Sequence, residues 1–134
     1  MKRIISVFLI CIGIAALAGC GGKSAADPEA AVYHKITAQQ AKAMMDDGKQ
    51  YTLVDVRTEA EYKDKRIDGA ILIPVDVIGA QAAAKLPDKS ARILVYCRSG
   101  NRSATAANIL VDLGYTDVYD MGGINSWTYG TVSG

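Results

Sequence analysis

From about Tyr33 onward, short apolar runs alternate with stretches whose apolar positions follow a helical period. Residues 51–56, 70–74, 92–96 and 117–119 are brief β-rich segments, the second of them ended by Pro74. Between them the spacing changes. Thr37 with Gln40 three positions later is a capping box. Ala41, Met44 and Met45 then share one face, as core filler, and Gly48 is a stop. Residues 59–63 fit one helical turn, and the alanine-rich stretch 76–86 fits a longer helix. Ser103 reads as an N-cap. Ala106, Ile109, Leu110 and Leu113 follow at i, i+3, i+4 and i+7, and Gly114 ends that helix. Gly122-Gly123 reads as a turn into a last short helix holding Trp127 as a core anchor.

Strands alternating with helices predict an α/β fold, a mainly parallel sheet with helices on both faces. In such sheets functional side chains gather at the carboxyl ends of strands. Cys97 lies at one such end, and Asp55-Val56-Arg57 at another.

The first residues follow a different rule. Lys2 and Arg3 precede an almost purely apolar stretch, residues 4–16, shorter than the roughly 20 residues of a membrane span. Leu17-Ala18-Gly19-Cys20 then resembles the lipobox of bacterial lipoproteins, in which the cysteine receives a diacylglyceryl group and becomes the new N-terminus. The expected organisation is a signal peptide over 1–19, lipidated Cys20 with a flexible tether over 20–32, and one domain over 33–134. The expected place is outside the cytoplasm, held by lipid on Cys20 to the cell membrane or outer membrane.

Processing alters the chemistry of what remains. Loss of Lys2 and Arg3 leaves 13 basic against 14 acidic residues. No basic run or basic–aromatic stripe points to nucleic acid. Cys11 leaves with the signal, and a lipidated Cys20 is a thioether. Cys97 is then the one free thiol of the mature chain, and no internal disulfide can form. The single histidine, His34, falls at the domain's edge and reads as a surface residue. No metal-ligand spacing or phosphate-binding glycine loop implies a metal or cofactor.

Cys97 opens the run Cys97-Arg98-Ser99-Gly100-Asn101-Arg102-Ser103, between a strand and a helix. Only a thiolate is a strong sulfur nucleophile, and a free thiol titrates near 8.5. Converging backbone N–H groups, the positive end of the following helix, and Arg98 and Arg102 should all favour the ionised form. Four residues separate Cys97 from Arg102. Phosphotyrosine-type phosphatases place five there, around a tetrahedral phosphate. The shorter ring suits a single extra sulfur better.

These segments resemble the rhodanese (thiosulfate sulfurtransferase) family. Asp55-Val56-Arg57 with Glu61-Tyr62, Ile67-Asp68-Gly69-Ala70 with Ile73-Pro74, the Cys97 loop, and Gly122-Gly123-Ile124-Asn125-Ser126-Trp127 match its motifs in order. The resemblance implies a rhodanese-like fold and a Cys97 persulfide. Sulfur would come from a small anionic donor such as thiosulfate and go to a thiophilic acceptor, with no cofactor. It implies that the amides of residues 98–103 hold the persulfide, that Arg98 and Arg102 attract the donor, and that Asp55, Arg57 and Glu61 support the loop, with Arg57 paired to Glu61. A non-catalytic or carrier module is the alternative. One departure is visible: many members carry Gly-His where Lys65-Arg66 stands. Nothing in the chain indicates a protein partner.

Overall fold

The computed structural model describes residues 32–134. The expected signal peptide, Cys20 and the expected tether up to residue 31 lie outside the described residues. In chain order the elements are β1 (His34–Lys35), α1 (Ala38–Met45), β2 (Thr52–Asp55), α2 (Glu59–Asp64), β3 (Ile71–Leu72), α3 (Ile78–Lys85), β4 (Ile93–Cys97), α4 (Asn101–Asp112) and β5 (Val118–Gly123). A single 3₁₀ turn follows at Ile124–Ser126.

The five strands form one parallel sheet in the order β1-β5-β4-β2-β3. Parallel strands sandwiched between helices are buried on both faces and therefore read as continuous apolar runs. All five residues of β4 are buried. Alternation along the strands sorts the core into two layers. Val54, Val56, Val95 and Cys97 face α3 and α4, meeting Ile78, Ala82, Ala106, Ala107 and Leu110. Leu53, Leu94 and Tyr96 face the other way, toward Ala41, Met44 and Met45 of α1 and Tyr62 of α2. Each fully buried Val, Ile or Leu stabilises the fold by about 1.5–3 kcal/mol.

Helix starts follow local chemistry. Thr37 and Gln40 form the expected capping box at α1. A second box, Thr58 with Glu61, starts α2. The α4 start departs from expectation: the helix begins at Asn101, its N-cap is Gly100, and Ser103 lies inside the first turn. Strand β5 also differs, running on through Gly122-Gly123 instead of turning there. Trp127 sits just past the 3₁₀ turn, partly buried against the α1 side of the core. The two-residue β1 is an addition; its His34 is exposed at the sheet edge and stacks on Tyr119.

Candidate active site

The carboxyl ends of β2, β4 and β5 converge at one end of the sheet, and the Cys97 loop crosses it. Cys97 is 1% exposed. Its Sγ accepts the Gly100 N–H at 3.0 Å and lies 3.6 Å from Ser103 Oγ. Burial alone pushes the thiol up. Hydrogen bonds from the Ser103 hydroxyl and from the backbone N–H groups of Ser103, Gly100 and Ser99 outweigh it, holding the thiol below its ordinary value. Ser103 and Gly100 lie at the start of α4, where N–H groups have no intrahelical partner. The sulfur thus does the work of a capping side chain, which explains why none is present at Gly100.

Three glycines shape the ring. Gly100 has φ +111°, open to glycine and strained for other residues. Gly123 is needed for space. A Cβ there would fall 2.1 Å from the Arg98 carbonyl oxygen and 2.6 Å from Ser99 Cα. The loop therefore lies directly on the end of β5, and the Asn125 N–H in the 3₁₀ turn that follows also donates to the Arg98 carbonyl at 3.2 Å. The single proton of Ser103 Oγ has the carbonyls of Gly100 and Gly122 within reach, at 3.0 and 3.3 Å, and turns to the sulfur when Cys97 ionises. The Gly122 N–H in turn donates to Asp120 Oδ1 at 2.9 Å. Asp120 is fully buried, and its other oxygen has no partner among the described residues.

The two loop arginines part company. Arg98 is exposed at the rim. Arg102 is held by Glu61 in a bidentate pair, 2.8 and 2.9 Å, joining α4 to α2. The Arg102 guanidinium lowers the Glu61 carboxyl to about 2. Arg57 does not pair with Glu61. It turns into the core and meets Asp55, through Nε at 3.0 Å and Nη2 at 2.7 Å, with both side chains nearly fully buried. A buried Asp two residues away satisfies the guanidinium fork better than a helix-surface carboxylate already occupied by Arg102 and Thr58. Tyr96 completes this group. Its hydroxyl donates to Asp55 Oδ2 at 2.8 Å and accepts the Ile67 N–H at 3.1 Å. Arg57 Nη2 also reaches the Lys65 carbonyl at 2.5 Å. The network lies in the α1 and α2 layer, opposite the face that Cys97 occupies, so it braces the loop's neighbours without touching the sulfur.

Cys97, Ser99, Gly100, Asn101, Arg102 and Ser103 are thus brought together, with Arg98 at the edge and Asp55, Arg57 and Glu61 flanking. Tyr96 and Asp120 escaped the sequence reading. An acid inside the apolar run of β5 was the one available signal for Asp120, and Tyr96 carried none. Among the described residues no group of three or more His, Cys, Asp or Glu could hold a metal ion. A hollow of about 300 Å³ opens beside the loop, lined by Arg57, Glu61, Asp64, Lys65, Arg98, Ile124 and Asn125. A larger one, about 490 Å³, lies near the amino ends of β2 and β4, and no cysteine lines it.

The rhodanese-like domain family matches residues 37–129. The thiosulfate sulfurtransferase PspE of Escherichia coli (strain K12) is 36% identical over 81 residues, 60% of this chain and 78% of that protein. A sulfurtransferase of Allochromatium vinosum is 33% identical over 95 residues, covering 70% of this chain and 87% of the relative. The probable adenylyltransferase/sulfurtransferase MoeZ of Mycobacterium tuberculosis is 36% identical over 110 residues, but the chain spans only 28% of its length. Among solved structures, a rhodanese with anions from E. coli superposes with a TM-score of 0.60 at 34% identity, over 63% of this chain and all of that one. The Alr3790 protein of Anabaena gives a TM-score of 0.67 at 28% identity, over 73% and 91%.

Proposed function

This chain belongs to the rhodanese-like family, and from that membership and the geometry around Cys97 we propose that it is a thiosulfate-using sulfurtransferase tethered to a membrane through lipid on Cys20. The ring of donors around a buried thiol at the end of β4 carries the reading.

The Cys97 thiolate attacks the outer sulfur of thiosulfate. A new S–S bond forms to Sγ, the S–S bond of thiosulfate breaks, and its electron pair leaves with sulfite. The persulfide anion then sits in the N–H groups of Ser99, Gly100 and Ser103, which need no reorganisation to receive it. A nucleophilic acceptor such as cyanide or a thiolate takes the terminal sulfur and restores the Cys97 thiolate. No metal, cofactor or outside oxidant enters the balance.

Intact-mass analysis tests this. After thiosulfate the chain should gain one sulfur atom, on Cys97, and cyanide should remove it as thiocyanate. Cys97→Ser should gain none; full turnover by that variant would refute the assignment. For the anchor, wild type should partition with membranes and Cys20→Ser should accumulate as precursor. Normal processing and release of Cys20→Ser would refute the lipid tether.

One observation favours a second reading, a persulfide carrier for a larger system: in MoeZ a matching segment is part of a longer adenylyltransferase/sulfurtransferase. A carrier would load sulfur stoichiometrically yet release it to cyanide far more slowly than it loads.

A further inference from the structure

Which cations read the donor is decided by which are free. Of the charged side chains lining the 300 Å³ hollow, Arg57 is committed to Asp55 and Glu61 to Arg102. Asp64, Lys65 and Arg98 remain, and among the described residues none of the three forms an ion pair. Their sum is one positive charge. Arg102, besides being neutralised, lines a different hollow with Val75, Asp76, Asn101 and Thr105.

Lys65 and Arg98 are both presented from fixed backbone. Lys65 leaves α2 in an extended conformation. Its N–H donates to the Glu61 carbonyl at 3.0 Å, and its carbonyl takes the Arg57 guanidinium at 2.5 Å. The next residue, Arg66, pairs with Val132 through both backbone groups, at 2.9 and 2.8 Å. Arg98 starts from a carbonyl held by Asn125 and pressed against Gly123. Two cations anchored this way lose little freedom of the main chain when they close on an anion.

Resting on the sulfurtransferase reading above, we propose that Lys65 is a specificity-determining residue. With Arg98 it holds the anionic end of the sulfur donor in this hollow and favours dianionic donors over singly charged ones. Arg98 directly follows Cys97, so the hollow opens one residue from the nucleophile. The sulfur itself lies under the loop and does not line the hollow, so the hollow holds the charged end while the reacting sulfur reaches into the ring. Arg102 serves as a strut between α4 and α2.

The test uses the full chain in detergent. Steady-state kinetics compare thiosulfate with methanethiosulfonate, a donor of the same S–S type with a single charge, in wild type and in Lys65→Ala, Lys65→Arg and Lys65→Glu. Calorimetric binding of thiosulfate to Cys97→Ser, with and without Lys65→Ala, gives a readout independent of turnover. Lys65→Ala should raise the thiosulfate KM and Kd about five- to tenfold, with a smaller rise in KM for methanethiosulfonate. Lys65→Arg should recover most of the loss, and Lys65→Glu should exceed it. If Lys65→Ala leaves thiosulfate KM and Kd unchanged in a chain that still loads sulfur, Lys65 is a bystander and the inference fails alone. A wild type that takes no sulfur from thiosulfate overturns the underlying reading, and this inference with it.

Discussion

Glu61 and Arg102 meet through two hydrogen bonds, 2.8 and 2.9 Å, and thereby join the first turn of α2 to the first turn of α4. The same carboxylate accepts the Thr58 N–H that begins α2. One side chain thus fixes a helix start and the position of a loop arginine. Glu61→Gln keeps an oxygen for Thr58 but loses the charge. It should cost about 0.2–1 kcal/mol, read from denaturant midpoints, because both side chains are about a third exposed. It should also lower the thiosulfate KM, since the hollow becomes more positive. An unchanged midpoint together with an unchanged KM would show the pair to be idle.

The same pair sets a pH dependence. Glu61 titrates at about 2 in the fold against an ordinary 4.5. The folded value is the lower one, so its contribution is full above the ordinary value and is lost as pH falls toward 2. The stability gap between wild type and Glu61→Gln should therefore be flat from neutral pH to about 5 and close below that. Urea titrations across the acid range read it directly; a gap that widened in acid would contradict the assignment.

Alkylation of Cys97 with a small reagent, followed against pH, should show a midpoint below that of a free thiol. Ser103→Ala removes a donor from the thiolate, so the midpoint should move up. The sulfur-loading rate at neutral pH should fall with it. No movement in Ser103→Ala would mean that the backbone N–H groups alone hold the charge.

Gly123 and Gly100 should fail differently. Gly123→Ala drives a Cβ into the Arg98 carbonyl, a collision between two backbones that cannot move aside cheaply. It should cost about 1–3 kcal/mol or more and displace the loop, so that sulfur loading is lost in whatever folds. Gly100→Ala meets nothing closer than 3.7 Å, and its cost of about 1–2 kcal/mol is conformational. Thermal melts with mass-spectrometric loading distinguish the two; equal behaviour would contradict the contact.

Behind the loop, Asp55→Ala leaves Arg57 buried without its partner and should destabilise by about 3–5 kcal/mol. Tyr96→Phe strands the Ile67 N–H and should cost about 1–3 kcal/mol. Folded Tyr96→Phe should still load sulfur, because this network faces away from Cys97. Loss of loading in a well-folded Tyr96→Phe would place the tyrosine in the chemistry.

Local patterns carried the fold a long way. Thr37-to-Gln40 spacing and the apolar run of β4 each follow from neighbours in the chain, and the structure has both. The α4 face holds at Ala106, Ile109 and Leu110 but not at Leu113, which lies just past the helix and is exposed, while Ala107 is buried beside Ala106. What was hidden depended on contacts between segments far apart. The Glu61 partner lies 41 residues away, and Glu61 and Arg57 sit close enough in sequence to suggest the wrong pair. Ser103 has the composition of an N-cap, yet a sulfur six residues earlier performs that task, which no helix propensity encodes. Gly123 looked like a turn residue, although its φ is −115°. Its lack of a side chain matters for space, and space is visible only once β5 meets the loop.

A persulfide offers an incoming nucleophile two electrophilic atoms. Attack on the outer sulfur completes the transfer. Attack on Sγ would expel hydrosulfide and leave the protein welded to the acceptor as a mixed disulfide. Displacement at sulfur proceeds along the S–S axis, so the second route demands approach from behind Sγ. Cys97 belongs to the buried cluster that holds Ala106 and Val95, and it is 1% exposed, so little room is left around Sγ for a second approach. The depth at which β4 ends therefore governs regiochemistry: it closes the unproductive trajectory by packing alone, with no residue set aside for the purpose.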